Sequence, residues 1–196
     1  MKILGLCGGS GSGKGEVSEA FLTFSVPSID TDKVYHDMTS ADSPCLRELA
    51  AEFGNEIISP CGALDREALR NIVFFDREKL ALLNEITHKH ILAKTRLILS
   101  EYEASGEKLA VVDAPLLFES GFDAECDVTA CVIADREVRI SRIMQRDSIK
   151  RADAVRRIDS QRKDSELIAL CDFCIENNGS KDMLRDKVEE LITKII

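Results

Sequence analysis

Three groups of residues in this sequence have the types and spacing to handle a phosphate group. The first is the run Gly8, Gly9, Ser10, Gly11, Ser12, Gly13, Lys14, Gly15, followed by Glu16. Gly8, Gly13 and Lys14 satisfy the pattern of a glycine, four residues, then glycine and lysine. In such a loop the glycines let backbone N–H groups curl round phosphate oxygens. The following helix presents its positive end, and the lysine bridges the terminal phosphates. The usual loop continues with a serine or threonine that offers Mg²⁺ a hydroxyl, but here that position is Gly15.

The second group is carboxylates at strand ends. IDTD carries Asp30 and Asp32, and VVDAP carries Asp113. If the strand runs through IDTD, Asp30 and Asp32 share a side. Either could accept a hydroxyl proton or hold a metal-bound water, or could simply cap the next helix. Asp113 occupies the position of a metal-organising carboxylate in phosphate-loop enzymes. The third group is Arg139, Arg142 and Arg146, three and four residues apart, which puts three guanidiniums on one helical face. Such a face can close over a triphosphate and neutralise charge on a transferred group. We read it as a lid rather than a solvated face, because from Arg136 to Lys163 ten Lys/Arg stand against four Asp/Glu, while the whole chain has net charge −9.

That acidity argues against a general affinity for nucleic acid or anionic membrane. No stretch of the 196 residues is apolar and long enough to cross a bilayer. Seven scattered cysteines fit reduced thiols in a cytoplasmic protein better than a disulfide framework. Cys171 and Cys174 have the spacing of a redox or zinc pair. Read as part of one strand they face opposite sides, so no role is expected of them.

The elements that position these residues alternate. MKILGLC, SVPSIDTD, LAVVDAP, VTACVIAD and, more weakly, DFCIENN read as strands, the first four nearly continuous apolar runs as in a parallel sheet buried on both faces. Val17, Ala20, Phe21 and Phe24 describe one face of a helix from Lys14, and Leu184, Val188, Leu191 and Ile195 one face of the last helix. Strand–helix alternation indicates an α/β layered fold. Two stretches interrupt it: a mostly helical region of about seventy residues between the second and third strands, and the basic island. Within the former, Leu83, Ile86, His90, Ala93 and Leu97 form a stripe, with His90 at the core edge. His88, about 160° round the helix, is freer to touch a ligand. Nothing near the histidines suggests a zinc site.

Over almost its whole length the chain resembles the dephospho-coenzyme A kinases. The resemblance rests on LCGGSGSGK, IDTDKVYH, FGNEIISPCGALDREALRNIVF, LNEITH, VVDAPLLFE, RIMQRD, RIDSQ and DFCIENNG in this order. The phosphate loop is shared by many families, whereas PLLFE, QRD and NNG together are more specific. The resemblance implies a three-layer phosphate-loop fold with five parallel strands, like that of the nucleoside-monophosphate kinases. Its core would span 1–35, 106–135 and 165–196, with a helical acceptor-binding insertion at about 36–105 and a small lid at about 136–164. The implied reaction moves the γ-phosphate of ATP, with Mg²⁺, to the ribose 3′-hydroxyl of dephospho-coenzyme A. Residues 8–16 would bind ATP, with Gly11 to Lys14 on its phosphates. Asp32 would be the base; Arg66, His88 and Pro115, Leu116, Leu117, Phe118 and Glu119 would line the acceptor site. Arg142 and Arg146 would be the lid arginines, and Asn177 would lie near the adenine.

The chain departs from the family pattern at three places: Gly15 and Glu16 stand for Ser-Thr, DTD for DAD, and His88–Lys89 for His-Pro. Only the first bears on chemistry. With Gly15 a water would replace the missing hydroxyl, Asp32 and Asp113 would hold the hydrated ion, and Glu16 is expected to project outward. Another small-molecule phosphate-loop kinase shares every feature read from the residues alone. A GTPase switch would need Asn-Lys-x-Asp, and NNGSKD does not match it. A non-catalytic nucleotide binder would have no use for an acceptor base.

Overall fold

The computed structural model describes residues 1–196. In chain order the elements are β1 (Lys2–Gly8), α1 (Lys14–Thr23), β2 (Ser28–Asp30), α2 (Thr31–Met38), α3 (Pro44–Phe53), α4 (Arg66–Val73), α5 (Arg77–Ala104), β3 (Leu109–Asp113), β4 (Val128–Ile133), α6 (Arg136–Asp147), α7 (Arg151–Asp159), α8 (Asp164–Leu170), β5 (Phe173–Glu176) and α9 (Lys181–Ile195). The chain forms two compact units, one of Met1–Asp30 with Ser100–Ile196 and one of Thr31–Leu99.

The first unit is built on a five-stranded sheet in the order β2-β3-β1-β4-β5, with every pairing parallel. Parallel neighbours need long crossovers, which is why apolar runs and helices alternate along the sequence. On β1, Leu4 and Leu6 face one side and join Val17 and Phe21 of α1, Val111, Ala130, Val132, Ile175, and Leu184, Val188, Leu191 and Ile195 of α9 in a single core. Burying a side chain such as Phe21 contributes roughly 1.5–3 kcal/mol. Gly5 and Cys7 face the other side. A Cβ at Gly5 would lie 2.8 Å from Cys126 Sγ and 2.9 Å from Leu117 Cδ2, so glycine permits the chain after β3 to pack directly on β1.

The second unit has its own core of Cys45, Leu49, Phe53, Ile57, Leu69, Val73 and Ile86. Ser43 caps α3 by accepting from the Leu46 N–H at 3.1 Å, and Asp65 caps α4 by accepting from Glu67 and Ala68. The stripe expected along α5 holds only in its first half. Ile86 is buried, but Leu97 is 51% exposed and Thr95 and Leu99 are the buried positions further on. On so long a helix, packing rather than apolar spacing selects the buried face. His90 Nε2 donates to a Glu48 carboxylate oxygen on α3 at 2.7 Å, a polar core-edge contact.

The second strand is shorter than SVPSIDTD suggests. It ends at Asp30, and Asp32 sits in the first turn of α2. Asp30 and Asp32 therefore do not share a strand face. Asp32 is exposed on the helix, while Val34 is the position α2 buries.

Candidate active site

The glycine-rich loop runs from the end of β1 into α1, the strand–loop–helix context that a phosphate site requires. Gly11 and Gly13 have φ of +78° and +86°. At Gly11 a Cβ would also fall 2.6 Å from the Arg139 carbonyl, and at Gly13 2.0 Å from Asn177 Nδ2. These glycines are thus demanded both by the curl of the loop and by close neighbours. Gly15 is different: it is exposed, and a Cβ there would meet nothing within 4 Å.

Lys14 opens α1 and Asp113 ends β3, and the two form an ion pair with Asp113 only 4% exposed. Ser18 donates to the other Asp113 oxygen at 2.7 Å. Lys14 and Ser18 are four residues apart on one face of α1, so a single carboxylate collects both. A buried carboxylate needs such partners to stay charged. Ser18 was visible in the sequence through that spacing, but nothing marked the hydroxyl as different from any other helical serine.

The three arginines of α6 do three different things. Arg139 is buried; its Nε donates to the Ser10 carbonyl at 3.0 Å and its Nη1 pairs with Asp164 at 2.7 Å. Gln161 completes this clamp by accepting the Ser10 N–H at 2.8 Å and donating to the Ser10 hydroxyl at 3.1 Å. Arg142 is half-buried, and its Nη1 donates to the carbonyls of Gly11 and Ser12 at 3.3 and 3.2 Å. Its guanidinium therefore lies directly against the loop. Arg146 is exposed and turned to its neighbour Asp147 in a two-point contact at 2.7 and 3.0 Å. Arg146, with Arg157 also paired to Asp147, holds that carboxyl down at about 2. The helical spacing concealed this division because burial depends on what packs against each turn.

Two further residues meet at the loop, and one expectation is corrected there. Asn177 is 2% exposed and donates to the Ser12 carbonyl at 3.0 Å and to Glu16 Oε2 at 3.2 Å. It ties the loop down from inside. Glu16 does not project outward; it is half-buried and turned onto Asn177. In the segment after β3, Leu117 is fully buried and anchors the turn, while Pro115, Leu116 and Glu119 are exposed and Phe118 is half-buried. Arg162, which the sequence did not single out, pairs with Glu119 at 2.8 Å and lies 5.9 Å over the Phe118 ring.

In the second unit, Arg66 begins α4 and stacks 5.5 Å over the Tyr35 ring, and burial raises the Tyr35 pKa. Tyr35 lies one turn from Asp32 on α2, so these two side chains share a helix face. His88 is half-buried on α5. No group of three or more His, Cys, Asp or Glu side chains is arranged to hold a metal by itself.

The all-parallel sheet, its strand order and the loop between β1 and α1 define a phosphate-loop nucleotide-binding protein. Comparison with known proteins is more specific. The dephospho-CoA kinase family model matches residues 2–182. A dephospho-CoA kinase of Corynebacterium glutamicum is 38% identical over 195 residues, covering 100% of both chains. Among solved structures, a Thermus thermophilus protein is 28% identical with a TM-score of 0.83, and a dephospho-CoA kinase from Campylobacter jejuni is 27% identical with a TM-score of 0.72. Each comparison covers 100% of this chain and 98% of the other. The chain belongs to the dephospho-CoA kinase family.

Proposed function

We propose that this protein transfers the γ-phosphate of ATP to the ribose 3′-hydroxyl of dephospho-coenzyme A, giving coenzyme A and ADP. The observation that carries the reading is the loop itself: a Lys14 held by a buried Asp113 at the start of α1, with Arg142 against the loop. Residues 8–16 provide the N–H groups and the lysine for the phosphates. Arg142 supplies positive charge where the transferred group becomes more anionic, an arrangement that lowers the barrier without covalent participation. Asp32, exposed on the first turn of α2, accepts the hydroxyl proton. In the Thr31–Leu99 unit the acceptor-binding candidates are Arg66, stacked on Tyr35, and His88; in the other unit they are Phe118 and Glu119, braced by Arg162.

The residues present fit a hydrated Mg²⁺. Asp113, its carboxylate oriented by the hydroxyl that Ser18 donates to it, is an acceptor at the loop, and the open side of Gly15 leaves room for a water where a hydroxyl is usual. When bound, the ion neutralises charge on the phosphates. Absence of any helix long and apolar enough to cross a membrane, and seven unpaired thiols, support a cytoplasmic location.

The test is direct. The protein is mixed with ATP, Mg²⁺ and dephospho-coenzyme A, and coenzyme A is assayed. Transfer is expected to exceed by far that to AMP, adenosine or gluconate. Comparable rates on AMP would move the protein among the nucleotide kinases.

A further inference from the structure

Four of the seven cysteines converge on the face of the sheet opposite α1 and α9. Cys7 of β1 is in register with Cys131 of β4, and Cys131 with Cys174 of β5. Register partners in a parallel sheet share a face, and neighbouring strands lie about 4.8 Å apart, so the three thiols form a row across three strands. Cys171 completes the group. It does not belong to β5, as the strand reading supposed, but is the C-cap of α8, and its Sγ lies 3.6 Å from Cys7 Sγ.

The two ends of α8 connect this cluster to the phosphate loop. At its start, Asp164 holds Arg139, which holds the Ser10 carbonyl, and Gln161 just before it holds the Ser10 N–H. At its other end is Cys171. Cys7 itself immediately precedes Gly8. A bond between Cys7 and Cys171 therefore joins the strand that delivers the loop to the helix whose start clamps it.

We propose that Cys7 and Cys171 are a thiol-oxidation site that a peroxide converts to a disulfide, and that this bond impairs nucleotide use by displacing the loop clamp. Cys171 is half-buried and within reach of a small oxidant, whereas Cys7 and Cys131 are buried. The Cys131 and Cys7 thiols donate to the Cys171 sulfur and draw its pKa well below the ordinary thiol value, and the same contact keeps Cys7 protonated. The thiolate is the nucleophile in such chemistry. Cys171 attacks hydrogen peroxide, the O–O bond breaks, and a sulfenic acid and hydroxide form. Hydroxide takes the Cys7 proton to give the first water. The Cys7 sulfur then attacks the sulfenic sulfur, the S–O bond breaks, and its hydroxyl leaves with a proton from solvent as the second water. Two thiols and one peroxide thus give one disulfide and two waters once the proton lost by Cys171 is counted.

A disulfide brings the sulfurs to about 2.05 Å, so they must close by about 1.5 Å. Because a misplacement of about 1 Å can cost on the order of 10²-fold, we expect a loss of about tenfold or more in kcat/KM for ATP, restored by dithiothreitol. The full chain is treated with limiting hydrogen peroxide, remaining thiols are blocked with maleimide, and linked peptides are read by mass spectrometry. ATP affinity is measured in parallel by calorimetry without acceptor, so the outcome is independent of the acceptor's identity. The expected result is a Cys7–Cys171 peptide and a reversible loss of ATP use, both absent from Cys171→Ser and both retained in Cys174→Ser. The mass assay on the unsubstituted chain stands alone if Cys171→Ser does not fold. The proposal is overturned if the linked peptide does not form or if Cys171 links elsewhere. It is equally overturned if the link leaves ATP use unchanged, if inhibition persists in Cys171→Ser, or if the reduced protein retains zinc on these thiols.

Discussion

The residues around the phosphate loop and those of the Thr31–Leu99 unit are held in place by different means. The loop is clamped residue by residue: Arg139 and Gln161 on Ser10, Arg142 on Gly11 and Ser12, Asn177 on Ser12, and Lys14 and Ser18 on a buried Asp113. Several of these groups are buried and paired, so removing one leaves others unsatisfied. Asp32 and Arg66 instead stand at the starts of eight-residue helices that bury only Val34, and Leu69 and Val73, respectively. The difference teaches that substitutions near the loop mix chemistry with stability. Substitutions of Asp32 and Arg66 test chemistry and binding more cleanly.

The largest effect that sharpens this contrast is expected for Asp32→Asn. Loss of a general base costs about 10²–10⁴-fold in turnover, while ATP affinity and melting temperature should stay near those of the parent. A variant that keeps more than about a tenth of parental turnover removes Asp32 from the role of base.

Next comes a comparison within α6. Arg142→Ala should lower kcat by on the order of 10³-fold, the scale of an arginine placed on transition-state charge. Arg146→Ala should change kcat by less than about threefold, since exposed ion pairs contribute about 0–1 kcal/mol. Equal losses in single-turnover assays would return Arg146 to the transferring phosphate and break the division seen among the three arginines.

Arg139→Ala should act on stability. Breaking a buried pair costs about 3–5 kcal/mol, and because Asp164 is 32% exposed we expect about 2 kcal/mol, or roughly 4–8 °C in melting temperature for a chain of this size. Arg66→Ala, by contrast, should raise the KM for the acceptor with little change in melting temperature. If thermal melts show Arg66→Ala to be the more destabilising, the contrast between the two regions is wrong.

The smallest effect is expected at Gly15. Gly15→Ser meets no steric obstacle and restores the usual hydroxyl, so activity should persist while the Mg²⁺ concentration for half-maximal rate falls by about threefold. A parent that is inactive until the serine is introduced would show that the metal contact has been lost rather than replaced by water.

The sequence alone determined a good deal. The phosphate loop was legible because its chemistry is local: glycines, lysine and a following helix lie within nine residues. The strands β1, β3 and β4 were legible because burial on both faces leaves uninterrupted apolar runs. The buried stripe of α9 was legible from its period, and the family resemblance from motif order. Only the tertiary structure decided the rest, because it concerns which side of an element is covered and what crosses over it. Their shared helical face could not say that Arg139 would be a buried clamp, Arg142 a loop contact and Arg146 a surface ion pair. Local pattern placed Asp32 on a strand, but the chain turns into α2 at Thr31. Asn177 and Glu16 found each other across 161 residues. Cys7, Cys131, Cys171 and Cys174 met through strand register and a helix end, relations that no periodicity within a single segment contains.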